Sequence, residues 1–335
     1  YAANNQWQLR QRTEIVGEAP SADMREWTAN MFVEKVRTSI KEAMADSVLL
    51  LNTSSRTYIP FVELGETSEY YHHDMYHLLA FRSIEALQQI EGLDRATPVE
   101  AYSEDTSSKK QSPVKQDIER IYENMLTSYK AKGDKEGCLL TNLNYLSWKR
   151  DTSKSFREPF SVKKGGTYMM TVDPYETGLE TLKTEYKSSD LCAEVYLAQA
   201  NYMIGKEQQT VALQLCDEAI RLYPGYRRIN ALKNLREDIL SPSLNVTAAA
   251  TAFPGEEIKI RASHKNLDGF TLRLFQAKKL IKEQHFAVLR PEDYRTQDTV
   301  FTFQAPEVGE YVMRIIPDIR AKRDSESKFN VTRFK

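Results

Sequence analysis

Residues 191–226 read LCAEVYLAQANYMIGKEQQTVALQLCDEAIRLYPGY, and residues 241–263 read SPSLNVTAAATAFPGEEIKIRAS. The first stretch predicts two helices. Leu197-Ala198-Gln199-Ala200-Asn201-Tyr202-Met203-Ile204-Gly205 forms one, and Ala212, Cys216 and Ala219 keep the helical spacing in the next, before Pro224 stops it. In the second stretch the period changes to two, with Ile258, Ile260 and Ala262 alternating against polar neighbours. The switch falls at Ser241-Pro242 and divides the chain into a helical part, 1–240, and a strand-forming part, 241–335.

Small residues where two helices cross closely, and a proline closing the second, are the signature of the tetratricopeptide repeat of about 34 residues. Ala198, Ala212, Ala219 and Pro224 fit those places, although Asn201 stands where an aromatic is usual. Upstream, Val114, Ile118, Ile121, Tyr122, Met125 and Tyr129 carry helical spacing up to Gly133-Asp134, and Cys138, Leu139, Leu143 and Leu146 resume it. Two antiparallel helices across a tight turn, with Ser112 as cap and Pro113 first in the helix, is the simplest packing. Further stripes predict one long amphipathic helix from about Asp23 to Leu51 and another from about Thr67 to Ile90, ending before Gly92. Thr97 to Gln111 reads as a polar connector, and the basic stretch Asp151 to Asp173, with Gly165-Gly166, as irregular or partly disordered.

Beyond Ser241, short alternating segments occur at Leu244–Thr251, Glu256–Ser263, Phe270–Phe275, Val300–Phe303, Tyr311–Ile315 and Phe329–Phe334. Asp268-Gly269 reads as a hairpin signal between two of them. About seven strands in this length predict an antiparallel β-sandwich of immunoglobulin-like size. The predicted fold is therefore multidomain α and β, a helical-hairpin solenoid followed by a sandwich.

Composition agrees with a folded chain. Of 335 residues, 41% are hydrophobic and 28% charged, and 13 Gly with 12 Pro are few enough to favour helices. The longest apolar run, Val48-Leu49-Leu50-Leu51, is far below the ~18 residues of a membrane span. With 46 Lys and Arg against 47 Asp and Glu, the net charge of -1 argues against nucleic acid as a partner. The part from Ser241 onward is basic, 16 Lys and Arg against 12 Asp and Glu, and the part before it acidic, 30 against 35. Three cysteines, Cys138, Cys192 and Cys216, write no disulfide framework. A chain starting at Tyr1 without Met is what processing or cutting leaves, with room for a lipid anchor upstream.

Chemistry-bearing motifs are sparse. His72-His73-Asp74 with His77 places His73 and His77 four apart on the predicted helix, a spacing that two metal ligands use, but no Glu stands in the zincin position and His264 and His285 lie in the strand region. A polar helix face is the plainer reading, and no metal or cofactor is expected. There is no Gly-x-Ser-x-Gly elbow, no Cys with a partner His, and no phosphate-cradling glycine loop, so no catalytic residue is assigned. Cys192 and Cys216 read as small buried hydrophobes. Among 18 tyrosines, Tyr70, Tyr71 and Tyr76 cluster, as core aromatics or as a protein-contact surface.

The order of parts resembles the N-terminal region of bacterial alpha-2-macroglobulin-like proteins. Carrying the resemblance are Ser241-Pro242-Ser243-Leu244, Pro254-Gly255, Asn266-Leu267-Asp268-Gly269-Phe270 and Leu272-Arg273-Leu274-Phe275, then Ala305-Pro306, Gly309-Glu310-Tyr311-Val312 and Phe329-Asn330-Val331-Thr332-Arg333-Phe334. Glu26-Trp27-Thr28 and Met75-Tyr76-His77-Leu78-Leu79-Ala80-Phe81-Arg82 resemble segments of the family's helical extension. The resemblance implies a macroglobulin-type sandwich and a non-enzymatic interaction module of a protease inhibitor in the periplasm or at the outer membrane, with proteases or other envelope proteins as partners. The family's Cys-x-Glu-Gln thioester is not in this sequence, since Cys192-Ala193-Glu194-Val195 and Cys216-Asp217-Glu218-Ala219 lack the Gln. The alternative is a freestanding tetratricopeptide-type surface scaffold that binds a peptide or glycan through the tyrosine cluster.

Overall fold

The structure is a computed structural model that describes residues 2–12, 22–59, 61, 65, 67–68, 70–93, 112–153, 156, 160–164, 167–319 and 325–331. It is a mixed α and β protein that divides into two compact units, Tyr1–Leu182 and Lys183–Lys335. The division lies upstream of the change from helix to strand, which comes between Leu240 and Ser243.

The first unit holds α1 (Gln6–Gln11), α2 (Ala29–Ala43), α3 (Ser47–Asn52), α4 (Met75–Ile90), α5 (Pro113–Lys132), α6 (Lys135–Thr152), β1 (Phe160–Lys164), β2 (Thr167–Val172) and most of α7 (Pro174–Glu185). The long helix expected from Asp23 to Leu51 is broken. Thr28 caps α2 through Met31 N, and Asp46 accepts from Leu49 N at 3.0 Å and opens α3. A side-chain acceptor offered to free backbone N–H groups restarts the helix there, which outweighs the continuing apolar stripe. The helix expected from Thr67 begins only at Met75. Asp74 caps it, accepting from His77 N at 2.9 Å, and Tyr70 to His73 precede it.

Ser112 caps α5 and Pro113 is its first residue. Gly133 turns the chain at φ 67, and Asp134 caps α6 through Gly137 N at 2.8 Å. Gly137 lets the helices cross closely, because a Cβ there would lie 2.8 Å from Tyr129 Cζ. The stretch expected to be irregular instead forms an antiparallel hairpin, Phe160 opposite Val172 and Lys164 opposite Thr167. Tyr168, Thr171 and Val172, an aromatic and two β-branched residues, suit a strand better than the flanking basic residues suggest. The predicted connector 97–111 lies outside the described residues.

The second unit starts with α8 (Ala193–Gly205), α9 (Gln209–Leu222) and α10 (Ile229–Leu240). Ala200, Ala212, Cys216 and Ala219 are buried between them, while Ala198 is only half-buried. Eight described strands follow: β3 (Ser243–Ala248), β4 (Thr251–Ala252), β5 (Glu257–Lys265), β6 (Gly269–Gln276), β7 (Lys279–Ala287), β8 (Gln297–Gln304), β9 (Gly309–Pro317) and β10 (Ser325–Val331). They form two sheets, ordered β3-β5-β8 and β4-β10-β9-β6-β7. Ile258, Ile260, Ala262 and Phe303 from the first share one core with Phe270, Leu272, Leu274, Met313 and Ile315 from the second.

Asp268-Gly269 is not a hairpin turn, since β5 and β6 belong to different sheets. Gly269 serves close approach instead: a Cβ would meet the Phe286 carbonyl oxygen at 2.8 Å. The hairpin is at Ala277-Lys278, both at positive φ (45° and 70°), between Gln276 and its partner Lys279. A two-residue loop of this kind normally carries Asn or Gly, so an Ala-Lys pair hid both the turn and β7.

Asn266 ties α10 to the sheets. Buried and at φ 56, it donates from Nδ2 to the carbonyls of Ile239 at 2.8 Å and Ser241 at 3.4 Å. Asn266→Ala leaves buried acceptors unmet and places a Cβ residue without a local polar partner in the left-handed region. The expected cost is about 2–3 kcal/mol, read as a lower melting temperature of the second unit, and an unchanged melt would refute the tie.

Candidate functional site

In the first unit, α2 and α5 present opposed stripes. On α2 these are Glu34, Arg37, Thr38 and Lys41, continued by Met44 and Ala45; on α5 they are Asp117, Ile121, Asn124, Ser128 and Lys132. Both follow helical spacing, and they line a groove of about 1030 Å³ with Tyr76 and Leu87 of α4. The other face of α5 is occupied in packing, with Val114, Ile118, Tyr122, Met125 and Tyr129 buried.

One end of the groove is held by charge. Asp117, 8% exposed, accepts from Arg37 Nε at 2.6 Å on one oxygen and from Arg120 Nη2 on the other. Arg37 also donates to Glu34 at 2.7 Å. The hydrogen bond it donates to Asp117 raises the Arg37 guanidinium above its ordinary value, against the effect of burial. A buried carboxylate held by two guanidiniums meets the requirement that a charge taken from water be paired.

The other end rests on the loop before α4. Lys132 Nζ donates to Asp74 Oδ2 at 2.7 Å and to the Leu51 carbonyl at 3.4 Å. Asp74 also receives His77 Nδ1, 2.8 and 2.9 Å from its two oxygens, and the His77 ring stacks on Tyr129 at 3.7 Å between centroids. Burial would raise the Asp74 carboxyl, but the bonds from His77 and Lys132 hold it at about 2. His72, at φ 60, packs its ring 3.5 Å from Tyr71, and neither of its ring nitrogens has a hydrogen-bond partner among the described residues. Burial first, then repulsion from His77, pushes it down to about 3.

Of the tyrosine cluster, Tyr71 is 5% exposed, its hydroxyl accepting from Asn144 Nδ2 at 3.3 Å and Thr141 Oγ1 at 3.4 Å. Tyr76 is half-buried and lines the groove, and Tyr70 is half-buried in the preceding loop. His73 and His77 do not share a helix face, because His73 precedes the Asp74 cap. Among the described residues, no group of three or more His, Cys, Asp or Glu is placed to hold a metal ion. All three cysteines are buried and none is in a disulfide, and burial pushes the Cys216 thiol up to about 11 and raises Cys192 as well. No described helix is long and apolar enough to cross a membrane.

The Arg37–Asp117–Arg120 cluster was not anticipated from sequence. Its legible trace is an acid at position 117 on the apolar side of a helix, beside Val114, Ile118 and Ile121, with Arg120 three residues on.

No protein-family model matches the chain, and no curated protein does. Similar solved structures include the CARDB domain of the PF1109 protein from Pyrococcus furiosus, at 10% identity, covering 28% of this chain and 88% of that one, TM-score 0.20. The sporulation control protein Spo0M from Bacillus subtilis matches at 15% identity over 27% of this chain and 49% of its own, TM-score 0.20. A superoxide reductase (neelaredoxin) from Ignicoccus hospitalis matches at 13% over 28% and 80%, TM-score 0.21. Likeness at this level assigns no function.

Proposed function

We propose that this chain is a non-enzymatic protein-interaction module, the N-terminal part of an envelope-associated alpha-2-macroglobulin-like protease inhibitor. In this reading the helices form a tetratricopeptide-like scaffold, and the strands an immunoglobulin-like sandwich of macroglobulin type. The observation that carries it is the order of parts. Paired helices with small buried residues at their crossing give way at Ser241 to two sheets around one core, in the sequence context that resembles that family. Helical repeats use concave surfaces to hold peptides or proteins, and the groove between α2 and α5 supplies such a surface here. The test is protease capture by the full-length protein, read as a gel shift of a labelled protease, with and without residues 1–335. Loss of capture on deletion supports the module's role; undiminished capture removes it.

The freestanding scaffold is the second reading. What favours it is Tyr76, which lines the groove with partly exposed surface. It expects Tyr76→Ala to abolish binding of the scaffold's own peptide while leaving the melting temperature unchanged.

A further inference from the structure

We infer that the groove between α2 and α5 takes an amphipathic α-helix with acidic flanks from a partner protein. The inference rests on the interaction-module reading and names the partner's chemistry.

Shape argues first for a helix. The α5 wall runs from Asp117 to Lys132, about 22 Å at the helical rise, so it matches an occupant of about four turns. Arg37 of α2 and Asp117 of α5 bridge the walls at one end, and Lys132 of α5 reaches the Leu51 carbonyl of α3 at the other. Lys41 and Ala45 on one side and Asn124 and Ser128 on α5 are among the lining residues. Small and short polar side chains on both walls allow a third backbone to approach. The lining comes from helices and the turn at Met44-Ala45, so an extended strand would find no sheet edge to join. A helix brings its own hydrogen bonds and needs only side-chain contact. Partly exposed apolar groups are there to receive it: Ile40, Met44, Leu51, Tyr76 and Ile121 are all half-buried.

Charge selects the flanks. The lining contains four cations, Arg37, Lys41, Arg120 and Lys132, against two acids, Glu34 and Asp117. Asp117 is buried and pairs with Arg37 and Arg120, Glu34 pairs with Arg37, and Lys132 pairs with Asp74, so the positive charge left over in the lining is that of Lys41. Lys41 has no ion-pair partner among the described residues, and the Arg120 side chain is 68% exposed. Acidic residues beside the apolar stripe of a docked helix would meet Lys41, and basic ones would be repelled.

The probe is a fluorescein-labelled helical peptide of about 18 residues, Leu and Ala on one face and Glu on its flanks, with a counterpart carrying Lys for every Glu. Fluorescence anisotropy against the intact chain is expected to rise for the acidic peptide alone and to weaken with salt. Lys41→Glu, an exposed change that breaks no ion pair among the described residues, is expected to reduce affinity by about fivefold or more. Ala131→Trp, exposed on the α5 wall, is expected to occlude the groove. Circular dichroism melts of the variants matching the parent show that the losses are local. The inference is overturned if neither peptide binds up to about 100 μM, if both bind equally, or if Ala131→Trp leaves binding intact. It is also overturned if sedimentation finds a dimer that Ala131→Trp dissolves, because the occupant is then a second copy of this chain. Each of these failures leaves the protease-trap reading standing, since that is tested separately on the full-length protein.

Discussion

Asp74→Ala is expected to unfold the first unit near ambient temperature, losing about 3–5 kcal/mol. One carboxylate does three jobs. It caps α4 through His77 N at 2.9 Å, receives the His77 imidazole at 2.8 Å and neutralises Lys132 at 2.7 Å. His77 is wholly buried, and its Nε2 already lacks a partner among the described residues, so removing Asp74 strands the second ring nitrogen as well. The cap alone is worth about 1 kcal/mol, and an unpartnered buried donor about 1–3 more. Urea unfolding read by the fluorescence of Trp148, buried on α6, measures the loss. Asp74→Asn, which keeps a capping oxygen, should recover part of it. A loss below about 1 kcal/mol for the Ala variant would mean that the loop does not anchor the unit.

The same loop makes the first unit acid-labile. His72 titrates near 3 when folded, against an ordinary value of 6.5. Below pH 6.5 the unfolded chain takes up a proton that the folded chain refuses, so stability falls as the pH drops from about 6.5 to about 3. The residue as a whole is only half-buried, and the expected loss is therefore held to about 2–4 kcal/mol. His77, His73 and Arg82 add repulsion to the charged form, and Asp74 opposes it. Asp74 works in the same direction at lower pH: held near 2 against an ordinary 3.8, it contributes stability above 3.8 that is lost as pH falls through 2. His72→Asn removes the titrating ring and suits the positive φ of 60°, a conformation that Asn tolerates. Its melting temperature should fall much less between pH 7 and pH 4 than that of the parent protein. Parallel curves for the two would assign the acid response to other groups.

The elements legible in the sequence are those whose local chemistry and tertiary packing agree. Ser112-Pro113, Gly133-Asp134 and the alternation of Ile258, Ile260 and Ala262 each satisfy a backbone need and a packing need at once. Where the two diverge, the periodic pattern misleads. The stripe from Met24 to Val48 runs past Asp46, whose cap is worth more than the continuing stripe when Val48 and Leu49 remain exposed. The β6–β7 hairpin is invisible because Ala277 and Lys278 adopt left-handed conformations that such residues rarely take. At the groove, Arg37 and Asp117 stand 80 residues apart. Their pairing depends on how α2 and α5 are placed by the helices around them, which no local pattern encodes. Tyr76 was in view as an aromatic, but only its placement along the groove separates its role from that of the buried Tyr71.

The proposed place of this chain at the front of a much larger envelope protein is tested most directly by the size of the native protein. An immunoblot of fractionated source cells, with antibody raised against this chain, is expected to show a band several times larger than 38.6 kDa in the envelope fraction. A single native band at 38.6 kDa would contradict it and leave a freestanding scaffold.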